Sequence, residues 1–114
     1  MKILNKTTNQ VISDNAKTAD TFISRLVGLL NRASLNPGEA LLITHCHSIH
    51  MFFMRFPIDV IFINDENNVV GLIKGIKPFQ MSPFFLKASC AIETPIGVID
   101  QSKTAIGHWL KLDS

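Results

Sequence analysis

One apolar stretch, Cys46 to Ile63, reads CHSIHMFFMRFPIDVIFI and carries most of the side chains in this chain that are able to do chemistry. Its Cys46, His50 and Asp59 suggest three kinds of site. The first is a metal centre, because His45-Cys46-His47-x-x-His50 crowds four ligand types together. In an extended strand His45 and His47 share a face about 7 Å apart, whereas Cys46 and His50 sit about 13 Å apart. A closed zinc site needs four ligands, and the sequence offers no second cluster, so no metal is expected. The second is a nucleophile, Cys46, with His50 as base and Asp59 as orienter. Strand geometry separates that pair too, and no glycine-rich turn supplies an oxyanion hole. Cys46 is therefore expected to pack as a small apolar residue.

The third is a polar pocket. Asp59 lies inside Pro-Ile-Asp-Val-Ile-Phe-Ile and Glu93 inside Cys-Ala-Ile-Glu-Thr-Pro, two acids in apolar strands. A buried carboxylate is costly unless paired or hydrogen-bonded. Arg25 and His50 are the cationic candidates, and the economical arrangement gathers Arg25, His50, Asp59 and Glu93 at one mouth of the fold. Such a network either fixes strand register or forms part of a small-ligand site.

The Cys-x-Ser-Ile-His-x-Phe-x-Met run from Cys46 to Met54, the following Pro-Ile-Asp, and Arg25-x-x-Gly28-Leu29-Leu30-x-Arg32 resemble the signatures of domain of unknown function family 192. The resemblance covers about residues 16–112. It implies a β-rich domain and no particular reaction. Arg25, His50, Asp59 and Glu93 all match polar positions of that pattern; Cys46 and Met54, which belong to the Cys-to-Met run, are secondary candidates. One departure stands out: the family often carries Gly-Asp near its last strand, where this chain has Gly107-His108.

These residues need a scaffold, and 114 residues suffice for one domain, 1–114, with a single core. With 46% hydrophobic and 18% charged residues the chain is an ordered globule. A net charge of +2 is too balanced to point to nucleic acid or an anionic membrane. Arg55 and Asp59 interrupt the best candidate for a membrane span, and the N-terminus lacks a signal-peptide core, so a cytoplasmic monomer is expected. Cys46 and Cys90 follow no framework pattern and are expected as free thiols.

Lys2–Leu4 and Val11–Ser13 read as a hairpin around Thr7-Thr8-Asn9-Gln10. Ala16–Ala19 reads as the lead into a helix from about Thr21 to Asn31, capped by Asp20 or Thr18. Phe22, Ile23, Leu26, Val27, Leu29 and Leu30 share its apolar face, with Arg25 on the border. Asn36-Pro37-Gly38-Glu39 is a turn, and Ala40–Thr44 a buried strand. Ser48–Phe56 is extended. Ile58–Ile63 and Val69–Ile73 flank the polar loop Asn64–Asn68. Ala88–Thr94 is a strand, Pro95 opens a short helix to about Lys103, and Gly107–Leu112 closes the domain as a strand.

Residues 74–87, KGIKPFQMSPFFLK, hold two prolines and Gly75 and yet are strongly apolar. Phe79, Met81, Phe84, Phe85 and Leu86 are expected to lie on the domain's own apolar surface, as a fixed cover or a lid. The pattern is mainly β (α+β), a compact barrel or sandwich with one or two short helices on its rim. The function read from it is binding of a small polar molecule or peptide without a cofactor. An acid–base hydrolase using His50 and the carboxylates is the second reading. An interaction module is the third, and it requires residues 77–87 to be exposed.

Overall fold

The computed structural model describes residues 1–19, 35–49, 51 and 55–113. Their eight strands form two sheets. Strands β1 (Lys2–Asn5), β2 (Gln10–Ser13) and β8 (Leu110–Asp113) form a three-stranded sheet of order β2-β1-β8. Strands β3 (Asn15–Ala19), β4 (Glu39–Thr44), β5 (Ile58–Ile63), β6 (Val69–Ile76) and β7 (Cys90–Thr94) form a second, ordered β3-β4-β7-β5-β6. A short helix, α1 (Val98–Gln101), follows β7. The helix expected over 21–31 lies outside the described residues.

β5 shows why the larger sheet holds two cores. Its six residues IDVIFI are all buried, because apolar layers cover both faces of the sheet. Ile58, Val60 and Phe62 pack with Leu41, Ile43 and Ala91 on one face, beneath Leu35, Ile49, Met51, Phe56 and Ala88. Ile61 and Ile63 pack with Ala40, Leu42 and Ile92 on the other, against Ile3, Ile12 and Leu110 of the smaller sheet. The sheets are thus stacked as a sandwich. They meet at two corners: Met1 exchanges backbone bonds with Ala16, and Val69 bonds with Gly107 and His108.

Ala16–Ala19 corrects the sequence reading. It is part of β3, parallel to β4 with Ala16 opposite Ala40 and Ala19 opposite Ile43. Asn-Ala-Lys-Thr-Ala has little intrinsic strand preference, and pairing with the buried apolar run Ala40–Ile43 decides its state. The turn at Pro37-Gly38 is as expected: Gly38 has φ +86° and the Glu39 N–H donates to the Asn36 carbonyl. β6 runs three residues past the expected Ile73, because Gly75 sits in a bulge rather than ending the strand. Ile58 pairs with Ile76 but Val60 with Ile73, which leaves one extra residue on β6, and Gly75 has φ +66°.

Candidate functional site

Asp59 stands opposite that bulge. One carboxylate oxygen accepts from Gly75 N at 2.9 Å, the other from Gly97 N at 3.0 Å and Ile99 N at 3.1 Å. Gly97 has φ +96°, which turns its amide and the start of α1 toward the acid. The carboxylate is 1% exposed and ties the bulge of β6 to the loop after β7. Outside the sheet, Lys74 and Asp100 connect the same two elements through a 2.6 Å ion pair in solvent. The hydrogen bond to Asp100, then its charge, raises the Lys74 pKa above the ordinary lysine value, and the charge of Asp59 adds to this.

Glu93 is also fully buried, but it faces the other way. In the antiparallel β5–β7 pair Asp59 lies opposite Thr94, and Glu93 opposite Val60. Directly paired residues share a face, so one acid points into each core. The structure does not bring Asp59 and Glu93 to one mouth. Arg25, His50 and Met54 lie outside the described residues.

β4 ends at Thr44, and His45 has φ +52°, so the strand alternation invoked for the His45–His50 run does not apply. Residues 46–49 and 51 instead run antiparallel to 79–89 as an irregular ribbon. Cys46 N donates to Ser89 O, Phe85 N to His47 O, Ser82 N to Ile49 O, Met51 N to Gln80 O and Phe79 N to Met51 O. Buried Ser82 adds a side-chain link, its hydroxyl accepting from Ile49 N at 2.8 Å. The Cys46 thiol donates to Ser48 O and packs at the core edge; both cysteines are free thiols. Among the described residues no three His, Cys, Asp or Glu side chains converge as metal ligands would.

The first half of the signature therefore braces the apolar loop, and the loop only partly covers the domain. Phe85 turns inward, its ring 4.5 Å from that of Phe62. Gly71, which pairs with Phe62, makes the room: a Cβ there would lie 2.6 Å from the Phe85 ring. The expectation for the other apolar side chains is overturned. Phe79 is 75%, Met81 64%, Phe84 64% and Leu86 78% exposed. The ribbon is narrow, so when Phe85 and Ser82 face the core their neighbours must face solvent.

Phe79 is also in an unfavourable backbone state. It follows Pro78 in the turn closed by Gln80 N to Lys77 O, and its φ is +67°. Proline followed by a positive φ is the type II pattern, whose third position normally holds glycine. A phenylalanine there is both strained and exposed. Proline at 78 signalled the turn, but nothing in the sequence signalled which side of the ribbon each aromatic takes.

A second polar cluster escaped the sequence reading. Buried Asn5 accepts from Thr7 N and Thr8 N, and its amide donates to Thr104 Oγ1 at 3.0 Å and His108 Nδ1 at 3.2 Å. Nδ1 also accepts from Ala105 N, so the ring proton resides on Nε2. At the Gly107-His108 departure the imidazole thus accepts from the Asn5 amide and from Ala105 N.

Two stacked sheets, a short helix and a braced apolar loop make this a β-sandwich domain. The chain belongs to the DUF192 family ("Uncharacterized ACR, COG1430"), whose model matches residues 3–112. It is 39% identical over 112 residues to a UPF0127 protein of Thermococcus sibiricus, covering 92% of this chain and 70% of that one. It is 33% identical over 115 residues to the UPF0127 protein PF1050 of Pyrococcus furiosus, covering 96% of both. Two crystal structures share the fold at 16% identity. A protein of unknown function from Novosphingobium aromaticivorans matches with a TM-score of 0.80 over 97% of this chain and 82% of its own. A putative transcription regulator from Sinorhizobium meliloti matches with a TM-score of 0.76 over 96% and 89%.

Proposed function

We propose that this domain is a binding module that docks a partner protein through residues 77–87. The observation that carries the reading is the set of four large apolar side chains, Phe79, Met81, Phe84 and Leu86, held in solvent by a hydrogen-bonded brace. Aromatic and methionine side chains on a rigid support are what the centre of a protein interface uses. Phe79 strengthens the argument, since the fold gains nothing from a phenyl group that is strained and turned outward. Exposed Lys77 and Lys87 bracket the loop, and the sequence holds no acidic residue between Glu66 and Glu93. The matching surface is an apolar groove with an acidic rim.

A protein fits this loop better than a lipid surface. The Phe84 and Leu86 amides donate no hydrogen bond among the described residues, and a hydrocarbon layer would leave them without acceptors. The pocket reading has less support, because Asp59 is already occupied by three backbone amides and faces away from Glu93. The acid–base reading rests on His50, outside the described residues, together with these two separated acids.

The test is site-specific photo-crosslinking in living cells with benzoylphenylalanine in place of Phe84. The reading predicts a discrete crosslink to another protein, mapped to an apolar site with an acidic rim, and its loss in Leu86→Ser. Crosslinks only to lipid, to this chain itself, or to nothing above background would overturn it.

A further inference from the structure

We infer that His47 is the residue by which the docking loop recognises charge, its Nε2 meeting a carboxylate that the partner carries beside the seat of Phe84. The inference rests on the docking reading and adds the polar chemistry required of the partner next to its apolar groove.

His47 belongs to the opposite half of the ribbon, yet its side chain reaches the loop at two points. Nδ1 lies 3.3 Å from the Phe85 carbonyl. A carbonyl only accepts, so Nδ1 carries a proton. The same carbonyl accepts from Ala88 N at 3.0 Å and closes a turn with Leu86 and Lys87 at its centre. The imidazole also lies against Phe84, with ring centroids 5.0 Å apart and planes tilted by 32°. His47 is itself exposed, so it braces the outward side chains from within their own surface.

Nε2 makes no hydrogen bond among the described residues. With Nδ1 committed as a donor, the neutral ring offers Nε2 only as an acceptor, and the imidazolium offers an N–H there. The surroundings decide which of the two a partner meets. Residues 45–49, 51 and 77–89 hold His45, Cys46, Lys77 and Lys87 as their other ionisable side chains, and no acid. His45, Lys77 and Lys87 are exposed. Such a surface attracts an anion and repels a cation. A carboxylate opposite Nε2 favours the imidazolium, which makes the bond charge-assisted and directional. The lysines contribute only mobile point charges. The partner chemistry is therefore an Asp or Glu side chain set at the rim of the pocket that takes Phe84.

The experiment is photo-crosslinking in living cells from benzoylphenylalanine at position 84, which keeps an aromatic ring beside residue 47. It compares unaltered His47 with His47→Arg, His47→Gln and His47→Glu, all changes at an exposed side chain, with melting temperatures as the check on folding. Arginine keeps a cation and should hold the crosslink yield within about twofold. Glutamine should lower it about threefold, and glutamate, facing the partner's acid, at least tenfold. In the His47→Glu chain, changing the acid mapped beside the crosslink on the partner to lysine should restore the yield. A glutamate yield equal to that of histidine, arginine falling as far as glutamate, or failure of that restoration would overturn the inference and leave the docking reading standing. No crosslink with His47 in place would overturn both.

Discussion

β5 and residues 79–86 are two apolar segments with opposite fates. All six residues of β5 are buried, while four large apolar side chains of the loop stand in solvent. Composition does not separate them; backbone satisfaction does. β5 lies between β7 and β6 and pairs along both edges, so every residue can enter a core. The loop has Pro78 and Pro83, makes a discontinuous set of bonds to 46–49 and 51, and offers a single inward face already filled by Phe85, Ser82 and Ala88. Side chains on the outward face therefore stand largely in solvent, although the Phe84 ring lies 5.0 Å from that of His47; on the proposed reading they are what a partner would meet.

The comparison breaks first at Asp59. Asp59→Ala should cost about 3–5 kcal/mol, since one buried and two partly buried amides lose a carboxylate acceptor. Asp59→Asn should recover only part, because its NH2 group confronts a backbone N–H. Denaturant melts would show this, and a cost below about 1 kcal/mol would contradict the clamp. Next comes Gly71→Ala, whose methyl group overlaps the Phe85 ring. It should cost about 1–3 kcal/mol and increase proteolysis within 77–87 specifically.

Leu86→Ser should change stability by no more than about 0.5 kcal/mol, the opposite of the same change in β5. The smallest effect belongs to Lys74. Its raised pKa makes the ion pair with Asp100 stabilising below the ordinary lysine pKa, with the contribution lost as pH rises through the raised value. Lys74→Met should therefore lower the melting temperature slightly and uniformly from pH 6 to 9, and wild type should approach it only above about pH 10.4.

Much of the sandwich was legible in residue order. The continuous apolar run of β5, the hairpin around Thr7–Gln10 and the turn at Pro37-Gly38 carry their own local signals. β3 does not, because its state is decided by its partner. Gly75 read as a breaker, although beside an acid in the neighbouring strand it marks a bulge. Asp59 reads in the sequence as a buried acid in need of partners, and its donors are backbone amides, which leave no trace in residue type except the glycines that aim them. Glu93 and Asp59 share apolar surroundings in sequence. Only the β5–β7 register shows that they face opposite cores.

The central claim is that the fold holds the loop's outer side chains out for a partner, and Phe79→Gly tests it most directly. Glycine suits φ +67°, so relief of a left-handed strain of roughly 1–2 kcal/mol should outweigh glycine's extra unfolded-state entropy of about 0.5–1 kcal/mol. The account predicts an equal or higher melting temperature, together with a crosslink yield from position 84 reduced at least tenfold. A melting temperature lowered as for loss of a core phenylalanine, with crosslinking unchanged, would contradict it.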